Sequence, residues 1–213
     1  MERAHAPAAR AGWIDRAGAV GAIVFAVGLL VSFFTSADYG ETAESVIAYA
    51  NEDEWQLWWS QILALAMPLL VGLLVAALAG RLVLPGQETL RAATVIGGTL
   101  FIAFVATGLT LWSAPLLSAD ELTPAGAESY LAFDDAGWVL LGLGGVGAGL
   151  MIIAVSLAAL DGRWLPAWAG WVSLLLGVVA LATIVAVGIF AWAAWLLLAG
   201  LVLLLRPRPA VAP

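Results

Sequence analysis

The chain has 213 residues, 63% hydrophobic and 11% charged, with eight Arg, no Lys and fifteen Asp plus Glu for a formal net charge of −7. Soluble domains run at about 45–50% apolar and about 25% charged, so this composition excludes an ordinary soluble globule, and it excludes disorder because so apolar a chain collapses in water. The lack of Cys and a single His, His5, remove thiol chemistry, disulfides, iron–sulfur clusters and histidine-ligated haem or metal. The lack of Lys removes Schiff-base chemistry, and the acidic balance argues against nucleic acid as a partner.

A hydrocarbon core of about 30 Å takes roughly 20 apolar residues as helix. Runs of that kind bounded by charge fall at Ala17–Phe34, Trp55–Ala79, Ala92–Leu116 and Gly137–Leu160. From Pro166 to Leu205 forty residues pass without a charge. That is twice a span, so the block divides into Pro166–Val185 and Val187–Leu205, with the turn expected at Gly188. The expected fold is all-α, a polytopic transmembrane bundle of six spans. It covers residues 17–205, with residues 1–16 and 206–213 as tails.

Charge sets the expected orientation. Arg3, Arg10 and Arg16 precede the first span, Arg81 and Arg91 separate the second and third, Arg163 follows the fourth, and Arg206 and Arg208 follow the sixth. All eight then lie on one side, which the positive-inside rule makes cytoplasmic, together with both termini. Abundant Ala, Gly, Arg and Trp without Lys suggest a GC-rich bacterial genome, hence the plasma membrane of a bacterium. Most acids fall in the two outer loops. The eleven Trp read as an interfacial belt, Trp192 and Trp195 included. Thr35-Ser36-Ala37 has the small residues of a signal-peptidase site, but the apolar run before it exceeds the usual 7–15 residues, so the first span is expected to be retained.

The outer loops resemble each other. SADYGETAESVIAYANEDEW (36–55) and SADELTPAGAESYLAFDDAGW (118–138) share Ser-Ala-Asp, Ala-Glu-Ser, an apolar pair, an aromatic, acids and a closing Trp. Spans 1–2 and 3–4 therefore read as a parallel repeat of one helical hairpin. Ala43, Val46, Ile47 and Ala50 follow the helical period, and Ala127, Tyr130 and Leu131 begin it again. Two short outer amphipathic helices are expected, the second starting at Thr123-Pro124. Glu44, Glu128, Asp134 and Asp135 are candidate acidic lids or a cation site. Ordered, solvated caps that close the hairpins are the favoured reading, because solvated acidic faces are ordinary.

Within the spans, Gly145 and Gly149 form a GxxxG pair that marks the fourth as a close-packing helix. Pro68 is expected to kink the second. No span core holds Asp, Glu, Arg or His, and the chain lacks GxSxG, HExxH and GxxxxGK[ST]. No cofactor, metal or catalytic residue is therefore assigned.

The fifth span opens Arg163-Trp164-Leu165-Pro166-Ala167-Trp168-Ala169-Gly170-Trp171, with Gly177 six residues on. This pattern, with the hydropathy plan, the acidic outer loops and the short Arg-bearing inner loops, resembles a bacterial family of six-span membrane proteins, the 4386 group of domains of unknown function. The resemblance implies a multi-pass plasma-membrane protein and carries over no catalytic residue.

The expected function is a non-enzymatic membrane protein acting through membrane lipid or a membrane-protein partner, with homo-oligomerisation left open. One alternative is a small permease for an apolar or weakly polar solute, its site lined by Gln61, Thr107, Thr110 and Ser113. A second is an outer-face lipid-modifying enzyme using Glu44, Glu128, Asp134 or Asp135.

Overall fold

The computed structural model describes residues 6–35, 42–52, 54–114, 122–162, 164–181 and 187–205, and of residues 6–11, 52 and 54 the backbone alone. Among the described residues there are seven α-helices and no strand. They are α1 (Ala6–Thr35), α2 (Ala43–Glu52), α3 (Glu54–Ala79), α4 (Glu88–Trp112), α5 (Pro124–Gly162), α6 (Ala167–Leu181) and α7 (Val187–Leu205). By length and composition, α1 from Gly12 onward and the whole of α5 and α7 can cross a membrane, as can α3 from Trp55 and all of α4. Apolar α6 has 15 residues, a rise of about 22 Å. This is a helical membrane protein.

Four boundaries differ from expectation. α4 begins at Glu88, one turn before the expected Ala92, and ends at Trp112. Residues 6–16 of the predicted tail belong to α1, because Ala and Arg there are strong helix formers. The second outer helix is not separate. Pro124 opens a single helix of 39 residues, about 58 Å long, that continues into the predicted fourth span. Asp134, Asp135 and Gly137 look like a loop in sequence. No Pro interrupts them, and Gly137 is a packing contact. Gly188 is not a turn but a buried residue in the first turn of α7. The break falls after Leu181, and residues 182–186 lie outside the described residues. So do residues 36–41 and 115–121, with the shared Ser-Ala-Asp and the cleavage-like site.

The membrane-crossing helices and α6 pack in chain order as a ring. α1 meets α3, α3 meets α4, α4 meets α5, α5 meets α6, α6 meets α7, and α7 returns to α1. Outside the ring, α2 packs on α5 and α3. Side chains fill the centre: Phe25 from α1, Met67 and Leu74 from α3, Phe101 from α4, Met151 and Ile152 from α5, and Trp192 and Trp195 from α7. Phe101 and Trp192 meet edge to face at 4.9 Å, the arrangement an aromatic quadrupole favours. Trp192 and Trp195 are therefore core residues, not part of an interfacial belt. Trp13, Trp55, Trp58, Trp168 and Trp171 do lie exposed. So does the α1 stripe Val20, Val24, Val27 and Val31, an apolar outer face suited to lipid.

Glycines set how closely the helices approach. On the α4–α5 contact a methyl at Gly97 would lie 2.7 Å from the Gly147 carbonyl, and one at Gly147 2.8 Å from the Gly97 carbonyl. Gly108 and Gly137 repeat the arrangement, at 3.0 and 3.2 Å. On the α1–α3 contact Gly18 and Gly21 lie against the Leu73 and Leu70 backbone. Gly145 and Gly149 are both buried, and Gly149 faces α6, where a methyl would meet Leu181 at 2.6 Å and the Gly177 carbonyl at 2.9 Å. Pro68 sits inside α3 on an exposed face, and the helix continues through it.

Candidate functional site: polar groups at the two ends of the bundle

At the acidic end, α2 begins with a reciprocal cap. The Ser45 backbone N–H donates to Thr42 Oγ1 at 3.2 Å, and the Thr42 N–H donates to Ser45 Oγ at 3.2 Å. This is a capping box with Ser in place of the usual Glu or Gln. Thr123 caps α5, its Oγ1 accepting from the Gly126 N–H at 3.2 Å, and Pro124 takes the first helical position as expected. Val46 and Ala50 on α2 and Ala127 on α5 are buried, so the predicted apolar stripe faces protein. Tyr49 OH donates to Gln56 Oε1 at 2.8 Å, tying α2 to the start of α3.

The four candidate acids are spread along this cap. Glu44, Glu128 and Asp135 are exposed, while Asp134 is half-buried and engaged with a neighbour. Among the described residues no group of three acids or His gathers as a metal would require.

The four candidate solute-lining residues are not brought together. Ser113 Oγ donates to Gln61 Oε1 at 2.5 Å, joining α4 to α3. Thr107 and Thr110 are exposed and donate to Ala103 and Ala106 of their own helix, each at 2.8 Å. Helical rotation explains the split. Each residue turns the helix by about 100°, so Ser113 points about 120° away from Thr107.

The opposite end, which carries Arg16, Arg81 and Arg91, holds polar groups that sequence reasoning passed over. Arg81, just past α3, donates through Nη2 to Asp15 Oδ2 of α1 at 2.8 Å. The pair is buried, with side-chain exposures of 8% and 1%. The same guanidinium stands over the Trp164 ring at 5.5 Å from its centroid, within cation–π range. Nearby in sequence, buried Gln87 precedes α4 and donates through Nε2 to the Ala158 carbonyl at 3.3 Å and to Asp161 Oδ2 at 3.2 Å. One polar contact thus locks α1 to the end of α3, and the other locks the start of α4 to the end of α5. The signal was present in sequence. Asp15 is an acid next to Arg16, and Arg81 follows the span that pairs with α1.

Two hollows adjoin this end. One, of about 20 Å³, lies among Leu78, Val155, Trp164, Ser173, Trp195 and Leu203, room for about one water. The other is a groove of about 530 Å³ between the residues after α3, Leu82, Val83 and Leu84, and one face of α4, Glu88, Arg91, Ala92, Val95 and Ile96.

The chemistry these groups offer is ion pairing, amide hydrogen bonding and apolar contact. Comparison with known proteins returns no matching family model, no matching curated protein and no matching solved structure.

Proposed function

We propose that the chain is a non-enzymatic multi-pass protein of the bacterial plasma membrane that works by holding membrane lipid or a membrane partner on its outer faces. In this reading α6 with the residues after it completes a sixth span. Both termini are cytoplasmic, and the two hairpins α1–α3 and α4–α5 are repeats of one unit. The eight Arg on one side support the orientation, and the span plan and the Arg163–Gly177 pattern support membership of the six-span family.

The observation that carries the reading is how the bundle uses its polar groups. Asp15, Arg81, Gln87, Gln61 and Ser113 are all committed to bonds between helices. The centre between the helices is occupied by Trp192, Phe101 and their neighbours. What is left for interaction is the outer surface, where long apolar faces stand exposed.

Native mass spectrometry of the protein released in mild detergent tests this. The expected result is a discrete lipid adduct or a second protein chain on the folded monomer. A bare monomer, combined with solute flux through proteoliposomes containing only this protein, would overturn it in favour of a permease.

A further inference from the structure

The groove beside α4 has a graded lining. Glu88, Arg91, Ala92, Val95 and Ile96 recur at helical spacing on one face of α4. The charged members come first, and the apolar members follow within about 12 Å along the axis. The opposite wall is apolar, with Val83 70% exposed and Leu84 46% exposed. Both Glu88 and Arg91 are exposed, and among the described residues neither is in an ion pair. Among the described residues the groove therefore presents an anion and a cation that share no ion pair at one end of its α4 wall, and apolar side chains one to two turns further along that helix.

That order matches an amphiphile lying along a membrane helix. A cation alone would select an anionic headgroup, but Glu88 stands one helical turn from Arg91 and repels a second negative charge. A headgroup carrying a phosphate and an ammonium two carbons apart satisfies both. We propose that this groove binds a zwitterionic aminophospholipid of the phosphatidylethanolamine class. Arg91 holds the phosphate, Glu88 holds the ammonium, and an acyl chain runs over Val95, Ile96 and Leu84. Guanidinium matches phosphate geometry well, and charge-assisted hydrogen bonds are the stronger kind. The proposal rests on the lipid-holding reading above and names the lipid and the place.

The test is competition by native mass spectrometry. The full chain in mild detergent is given equal amounts of dioleoyl phosphatidylethanolamine and dioleoyl phosphatidylglycerol. The wild type is expected to retain the ethanolamine lipid in excess. Glu88→Gln is expected to lower that preference about tenfold, and Arg91→Gln to lower retention of both lipids about tenfold, the loss typical of a charged hydrogen bond. Asn51→Ala, at the far end of the bundle, is expected to behave as wild type. Both groove side chains are exposed, so the variants keep the fold, and an unchanged Tm checks this.

Preference of the wild type for the glycerol lipid would overturn the proposal. So would adducts equally abundant on wild type and both groove variants, although that result leaves lipid holding intact elsewhere on the surface. A wild type that retains neither lipid and no protein partner overturns both readings.

Discussion

Gly97 and Gly147 meet backbone to backbone, each standing where a methyl on the other would fall within 2.8 Å of a main-chain oxygen. Ten residues away along α5 and eleven along α4, Gly108 and Gly137 face each other in the same way at the looser distances of 3.0 and 3.2 Å. The two pairs bring the α4 and α5 backbones close, with the Trp112 and Val105 side chains packed on Gly137 and Gly144 between them. Where lipid supplies no hydrophobic drive, that close approach is a main source of helix association.

Gly97→Ala or Gly147→Ala must push the helices apart, because the obstructing atoms are backbone. The expected loss is about 1–3 kcal/mol, as for other overpacking changes. Gly142→Ala, whose added methyl meets nothing within 4 Å, is expected to leave stability unchanged or slightly raised. Unfolding in mixed micelles compares the three. Equal stability of all three variants would falsify the close-packing account.

The Asp15–Arg81 pair is buried at both ends. Asp15→Asn or Arg81→Gln leaves one charge without its partner, which typically costs about 3–5 kcal/mol. The double variant is expected to regain part of that loss, since neither charge then remains. A thermodynamic cycle on unfolding free energies reads the coupling. Strictly additive losses are the outcome incompatible with a direct pair.

Trp192 fills the centre of the ring and Trp58 faces outward. Trp192→Ala is expected to cost about 3–5 kcal/mol, as large-to-small core changes do. Trp58→Ala is expected to cost clearly less, about 1 kcal/mol, because its half-exposed side chain keeps only part of its contacts. Thermal denaturation in detergent distinguishes them, and a belt role for Trp192 requires the two losses to be alike.

Ser113 and Gln61 join α4 to α3, whereas Thr107 and Thr110 bond within their own helix. Membrane interhelical hydrogen bonds average about 0.6 kcal/mol and reach about 1.7. Ser113→Ala is expected to lose stability in that range, and Thr107→Val to lose almost none. If both variants instead abolish uptake of a solute without affecting stability, the permease reading gains.

Because the chain has no native Cys, orientation is open to direct labelling. Glu128→Cys on the exposed cap is expected to react with an impermeant thiol reagent applied to intact cells. Pro85→Cys, in the exposed turn between α3 and α4, is expected to react only after the membrane is opened. Reversal of the two patterns inverts the topology.

Much of this architecture is one-dimensional and was legible in the residues. Uninterrupted apolar runs need helices to satisfy their backbone in lipid, so α3 and α7 fall where hydropathy places them, α4 starts four residues earlier at Glu88, and Thr123-Pro124 starts α5 as side-chain chemistry allows. Some features depended on which side of each helix faces a neighbour, and that is decided only when the ring closes. Trp192 and Trp195 carry the same residue type as the exposed Trp58, yet α7 turns them inward. Gly145 and Gly149 announce themselves as a motif, while Gly97 and Gly147 lie on different helices and acquire meaning only when paired. Thr107 and Ser113 look equivalent along α4 until its rotation points one outward and the other at Gln61. Asp15 and Arg81 are sixty-six residues apart, and a charge this costly to bury finds its partner only through the packing of α1 on α3.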